Sequence, residues 1–349
     1  MLKKIIFILA VLQLINCSKK HTIDPDANKI NTGDVFIVNE GNFSVANSSL
    51  SYYDPATSEI NNNLFYKVNT APLGDVAQSI TLNKNMAYIV INNSGIIYGV
   101  NRETCEFNGK INGLGSPREM IFIDDDKAYV SDLYGTKLTI VNPTNYELIG
   151  KIDVGRSSDC MVKSGNRIMV ANWSAYNQTK INNTIMVIDS DTDLLTDSIV
   201  VGIEPNSMVI DKNNYLWVLC SGGFMNDEMP SLWKVNIETL ETHKKFTFDN
   251  ILQNPDNLCI NPTMDTLYFL NDGVYRLSVN ELELPAEIII TENGKNYYSL
   301  GVDPVRNEIY VSDALDYNQN GIVTRYNFNG TLISSFEAGI IPGDFGFNY

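Results

Sequence analysis

The chain has 349 residues, 44% of them hydrophobic and 10% aromatic, and a formal net charge of −16. That charge disfavours nucleic acid and anionic membrane surfaces as partners, since both are polyanions. With only His21 and His243, the chain is also poorly equipped for a Ser-His-Asp triad or for His-rich zinc and haem sites.

In chain order, Lys3 and Lys4 precede an apolar run from Ile5 to Ile15 that ends at Cys17. A basic start followed by a short apolar stretch reads as a secretory signal, too short for a spanning helix. The stretch LINC at Leu14 resembles a bacterial lipobox, so residues 1–16 are expected to be a lipoprotein signal peptide and Cys17 the lipidation site. Residues 17–32 then form the lipidated Cys and a polar tether, and residues 33–349 a single domain. Loss of Lys3 and Lys4 with the leader takes the formal charge to −18. The expected anchor is lipid alone.

From Val35 onward the chain repeats itself. VFIVN at Val35, AYIVI at Ala87, AYVSD at Ala128, IMVAN at Ile168, LWVLC at Leu216, LYFLN at Leu267 and IYVSD at Ile309 are seven versions of one strand, spaced by 52, 41, 40, 48, 51 and 42 residues. β-Branched and aromatic runs separated by Gly, Asn, Asp and Pro at a period of ~40–50 residues predict an all-β, seven-bladed β-propeller of four-stranded blades. A further strand precedes most copies, as in SPREMIFI, EPNSMVI and NPDNLCI, but none stands before Val35. IPGDFGFNY at Ile341 has the missing pattern. Residues 344–348 are therefore expected to pair beside Val35–Val38 and close the ring, removing exposed edges.

Cys105, Cys160, Cys220 and Cys259 show no CxxC spacing and read as free thiols. The acidic stretches at Asp124 and Asp189 align with hairpin turns of other blades and lack the Gly of a calcium loop, so both read as structural turns. No catalytic residue, metal ligand or cofactor is assigned.

The ends of the repeated strands offer a candidate ligand face. Asn39, Asp132, Asn172, Asn271 and Asp313 end their strands, and Asn92 follows Ile91. These polar groups approach one mouth of the channel, or cap their own turns, or do both. The loops that follow are polar with interspersed rings: Glu40 and Phe43 in blade one, Tyr134 in blade three, Trp173 and Tyr176 in blade four, Phe224 in blade five and Tyr317 in blade seven. Flat apolar surfaces beside amides suit a large neutral ligand, and Trp173 is expected to be half-exposed.

The repeats with VIDSDTD, IDVG and EPNSMVI resemble YncE-type seven-bladed propellers over nearly the whole mature chain. FIVNEGNFSVANSSLSYYDPATSEI at Phe36 and APLGDVAQSI at Ala71 are similar to the Bacteroidetes lipoproteins that include the BtuG-type vitamin B12 capture proteins. That resemblance implies an outer-membrane lipoprotein that holds cobalamin or another cobamide on a propeller face for a TonB-dependent transporter. It further implies a monomer apart from the transporter complex. Cell-surface exposure is the expectation, with a periplasm-facing anchor as the alternative because Ser18-Lys19-Lys20 follows the Cys. Two other readings stand beside non-enzymatic capture. One is a protein interaction scaffold; the other is a divalent-metal hydrolase or lactonase built on Glu40, Asn92, Asn172, Asn271 and Asp313.

Overall fold

The computed structural model describes residues 29–284 and 288–349, and the signal segment, Cys17 and the tether as far as residue 28 lie outside them. The chain forms seven sheets, each of four antiparallel strands. One sheet joins Pro342–Phe347 to Val35–Asn39, Ser49–Asp54 and Glu59–Asn61, so the last strand completes the first blade. In its register Val35 faces Phe347 and Val38 faces Asp344, as expected. The ring is a seven-bladed propeller closed by its C-terminal strand.

Continuous apolar strands are what this stacking requires, because each blade is covered on both faces. Alternate residues of Val35–Asn39 illustrate it. Phe36 and Val38 pack with Ile80, Ile89 and Ile91 of the next blade, while Val35 and Ile37 pack with Tyr310, Val323 and Phe345 on the other side. The core is thus a set of apolar layers between blades. One element is not β: Leu64–Asn69 is a short helix after the three-residue outer strand of blade one, burying Leu64 and Phe65. Its LFYKVN sequence has no alternating period, and the blade's outer edge is left short enough for a helical turn to cover it.

The acidic stretches are turns. Asp189 Oδ1 accepts from the Asp191 and Thr192 amides, and Asp124 Oδ1 from that of Asp126. The cysteines at 105, 160, 220 and 259 are free thiols. Among the described residues no helix is long and apolar enough to cross a membrane.

Candidate functional site

The innermost strands are Ala77–Asn83, Pro117–Phe122, Met161–Ser164, Pro205–Ile210, Asp256–Ile260, Tyr297–Val302 and Pro342–Phe347. Near the start of five of them, at Ala77, Pro117, Pro205, Asp256 and Tyr297, the register with the second strand slips. Blade one slips at the matching place, between Val38 and Asn39. In blade four the Asp159 amide donates to the Ala171 carbonyl while the Ala171 amide donates to that of Cys160, again two residues against one. Such a bulge breaks the alternation of side chains. Two successive residues of each inner strand consequently reach the channel: Gln78 and Ser79, Arg118 and Glu119, Asp159 and Cys160, Asn206 and Ser207, Asp256 and Asn257, Tyr297 and Tyr298, Gly343 and Asp344.

These pairs line a cavity of about 840 Å³ at the channel mouth. Gly343 is the exception to a ring of side chains, and a Cβ there would stand 2.6 Å from Glu40 Oε1. Glu40 fills the vacant place, where its Oε2 accepts from the Tyr298 hydroxyl at 2.9 Å. Arg118 Nε donates to Asp159 Oδ1 at 3.1 Å and its Nη1 to Gln78 Oε1, and its guanidinium lies 5.4 Å from the Trp173 ring centre. In blade six the second strand turns back at once, with the Asn271 amide donating to the Gly273 carbonyl. No long loop covers that side, and Asn271 and Asp272 join the lining.

The cavity is acidic, and most of its carboxylates are half-buried or buried. Seven carboxylates line it, those of Glu40, Glu119, Asp159, Asp256, Asp272, Glu292 and Asp344, against the single guanidinium of Arg118. Burial penalises the charged form. It raises Glu40 to about 7 against the opposing Tyr298 hydrogen bond, and Glu119 to about 8 with help from the Asp159 charge. Burial likewise lifts Asp256 and Asp344 to about 6. The same desolvation holds the Cys160 and Cys259 thiols neutral.

Of the residues singled out in the sequence, Glu40, Trp173, Asn271 and Tyr317 line this cavity. The other strand-end residues are taken up in hydrogen bonds that hold their own turns and the neighbouring segments in place. Asn39 is fully buried, donating to Ser49 Oγ and Ser51 Oγ and accepting from the Gly339 amide. Asn92 Nδ2 donates to Ser116 Oγ and the Pro117 carbonyl, and Asn172 Nδ2 to the Ser157 carbonyl and Gln178 Oε1. Asp132 accepts from the Ser116, Tyr134 and Gly135 amides, and Asp313 from those of Asn296 and Leu315. Capping of this kind predicts a stability effect: Asn39→Ala should cost about 2–3 kcal/mol, read as a lower urea midpoint, and an unchanged midpoint would contradict it. The rings at Phe43, Tyr134, Tyr176 and Phe224 are exposed and do not line the cavity, and Tyr134 and Tyr176 touch each other at 4.6 Å between centroids. Trp173 is half-buried, as expected.

Arg118, Glu119, Asp159, Asp256, Tyr298 and Asp344 escape a reading based on strand ends and loop rings. Their signal is a polar pair after Pro in an otherwise apolar strand: Pro117-Arg118-Glu119, Pro205-Asn206-Ser207, Pro255-Asp256-Asn257. A polar pair in a strand that is central to its blade has to face something other than another blade.

Residues 33–340 match the family described as Domain of unknown function (DUF5074). The chain belongs to the DUF5074 family. No curated protein matches this DUF5074 chain. Among solved structures it is similar to a quinonprotein alcohol dehydrogenase-like protein from Bacteroides thetaiotaomicron, at 12% identity and a TM-score of 0.71, covering 91% of this chain and 79% of that one. A functionally unknown protein from Desulfotomaculum acetoxidans is similar at 13% identity and a TM-score of 0.66, over 90% and 98% of the two chains. The periplasmic gluconolactonase of Pseudomonas aeruginosa follows at 11% identity and a TM-score of 0.67, over 90% and 99%. At such identities the likeness is one of fold, and the neighbours' functions are varied.

Proposed function

We propose that this DUF5074 propeller is a non-enzymatic, lipid-anchored capture protein of the outer membrane. It would hold a large small molecule at the channel mouth for a TonB-dependent transporter, with cobalamin the first ligand to test. The observation that carries the reading is the 840 Å³ cavity into which residues of every blade converge, with Trp173 and Tyr317 in its wall. Pockets with a few convergent polar groups and aromatic walls are the usual form of a ligand site. The lipid anchor at Cys17 and the capture role come from the sequence and its resemblance to BtuG-type lipoproteins. Exposure at the cell surface belongs to the same proposal.

A hydrolytic or lactonase role has less support. The side chains of Asn172 and Asp313 are engaged by their own loops and that of Asn92 by Ser116 of the next blade, and among the described residues no group of three His, Cys, Asp or Glu side chains could hold a metal ion. His243 lies on an outer strand with its ring tilted against Tyr215, 5.0 Å between centroids. The scaffold reading has one specific observation in its favour: Phe43, Val45, Phe224 and Met225 stand exposed at loop tips, where a protein partner would bury them.

Calorimetric titration with cobalamin decides between them. Trp173→Ala is expected to weaken binding by about 2 kcal/mol, or roughly thirtyfold, because a large ring at a pocket wall dominates contact energy. It should barely move the melting temperature. Absence of both heat and thermal stabilisation at saturating cobalamin would remove the corrinoid. Recovery of a transporter by the bare protein, lost in a Phe224→Ala, Met225→Ala variant, would then favour the scaffold.

A further inference from the structure

The acidity of the channel is not explained by a large neutral ligand. A neutral molecule leaves the acidity of this lining unmatched by its one guanidinium, which Asp159 and Gln78 already engage, and an anion is repelled. Glu40, Glu119 and Asp344 accept from the Tyr298 hydroxyl and the Met161 and Ile80 amides, each through one oxygen, and retain acceptor capacity for a further donor. A point cation does not suit the arrangement either, since among the described residues no three acidic side chains gather closely enough to hold a metal ion. The negative charge is spread around the mouth: Glu119 beside Arg118, Asp159 in the next blade, Asp256 beyond it, Glu40 and Asp344 from blade one, and Asp272 and Glu292 on the uncovered side at blade six. The complementary ligand therefore carries its positive charge distributed along its length.

A second observation points the same way. Asn271 lines this cavity and is only 4% exposed, yet its Oδ1 has no hydrogen-bond partner. A buried acceptor left unpaired costs about 1–3 kcal/mol, and a turn of the Asn271 amide toward the cavity would let an incoming N–H satisfy it. Apolar surface is also at hand in the ring of Trp173 and the side chains of Ile80 and Met120.

We propose that the channel mouth is a site for a linear organic polyamine, with ammonium groups distributed over the carboxylates and Asn271 and with methylenes against Trp173 and Met120. This goes beyond corrinoid capture and does not rest on it: the cavity and Trp173 are shared, but the polyamine is argued from the carboxylates and Asn271, which the corrinoid reading does not use. Entry of a polycation favours the ionised form of each carboxylate it meets. Glu40, Glu119, Asp256 and Asp344, partly protonated near neutrality through burial, then release protons. Arg118, the neutral Cys160 and Cys259 thiols and Tyr298 keep their states.

The test is titration of the whole chain with spermidine at pH 7 and fixed ionic strength, in two buffers of different ionisation enthalpy. Expected is saturable binding below about 100 μM with a buffer-dependent heat that reports proton release. Asp256→Asn and Asn271→Ala should each weaken it about fivefold or more, and the two together more than either alone. Circular dichroism melts show which variants remain folded; Glu119→Gln, an isosteric change, serves where Asp256→Asn does not. Three results would overturn the proposal: no saturable heat, equal competition by magnesium at the same ionic strength, or unchanged affinity in every folded variant. A negative cobalamin titration leaves it standing, and a negative spermidine titration leaves corrinoid capture standing.

Discussion

Deletion of residues 341–349 is expected to abolish the soluble folded state. The strand Pro342–Phe347 is the innermost strand of blade one, hydrogen-bonded along Val35–Asn39, whose five residues are all buried. Without it that strand becomes a flat apolar edge, the form that pairs with other chains. The truncated protein should aggregate on expression, visible by light scattering, and a synthetic peptide of residues 341–349 should recover part of the soluble fraction by strand addition. A milder probe is Phe345→Ala. Phe345 lies 5.9 Å from Tyr310 between ring centres and packs in the layer between blades one and seven. Its truncation should cost about 3–5 kcal/mol, lowering the melting temperature by roughly 6 °C or more. A soluble truncated chain with an unchanged melting curve would mean that the ring closes by other contacts.

The second large effect is a fall in stability as pH rises through neutrality. Glu40 and Glu119 go from 4.5 in the unfolded chain to about 7 and about 8 in the fold, and Asp256 and Asp344 from 3.8 to about 6, all chiefly through burial. Raised carboxylates hold protons in the folded chain that the unfolded chain has already released. The folded state is therefore favoured at the acid end of this window and loses stability with each proton given up, until all four groups are ionised above about pH 8. Every tenfold gain in proton affinity on folding is worth about 1.4 kcal/mol, and opening of the mouth to water reduces it. Asp54, Asp153, Asp265 and Asp316 are displaced downward, stay ionised in both states and add no slope here. The melting temperature should drop between pH 5 and pH 8 (a range of about 3 units), and Glu119→Gln should remove about 2 kcal/mol of that fall. A flat melting profile, or a variant with the same slope as the parent, would show that the cavity is better solvated than its burial implies.

The repeats made the fold legible because a blade buried on both faces needs uninterrupted apolar strands, and the odd count of strands at the two ends announced the closure at Asp344. The mouth was harder to read. Asn39, Asn92, Asn172 and Asp313 look the same in sequence whether they face a ligand or hold a loop, and the capping geometry appears only when Gly339, Ser116, Gln178 and Asn296 are brought near. Glu40 was visible as a loop residue, but its place beside Tyr298 depends on Gly343, far away in sequence. The short turn at Asn271 and Asp272 exposes the cavity by what it lacks, and a missing loop is a weaker sign than an inserted one.

The slipped register of the inner strands separates two kinds of inheritance. The interblade layers tolerate exchange only among apolar residues of matched volume, whereas many residues displayed at the slips are polar and tie one blade to the next by single hydrogen bonds: Ser79 Oγ donates to the Arg118 carbonyl, Glu119 Oε2 accepts from the Met161 amide, and Asp344 Oδ2 accepts from that of Ile80. Such a residue can change without loosening the ring only where its replacement makes the same bond to the neighbouring blade. Sequence change at the mouth is thus channelled into positions where a second residue type can make the same bond, and comparison of those positions among DUF5074 chains would reveal it where overall identity would hide it.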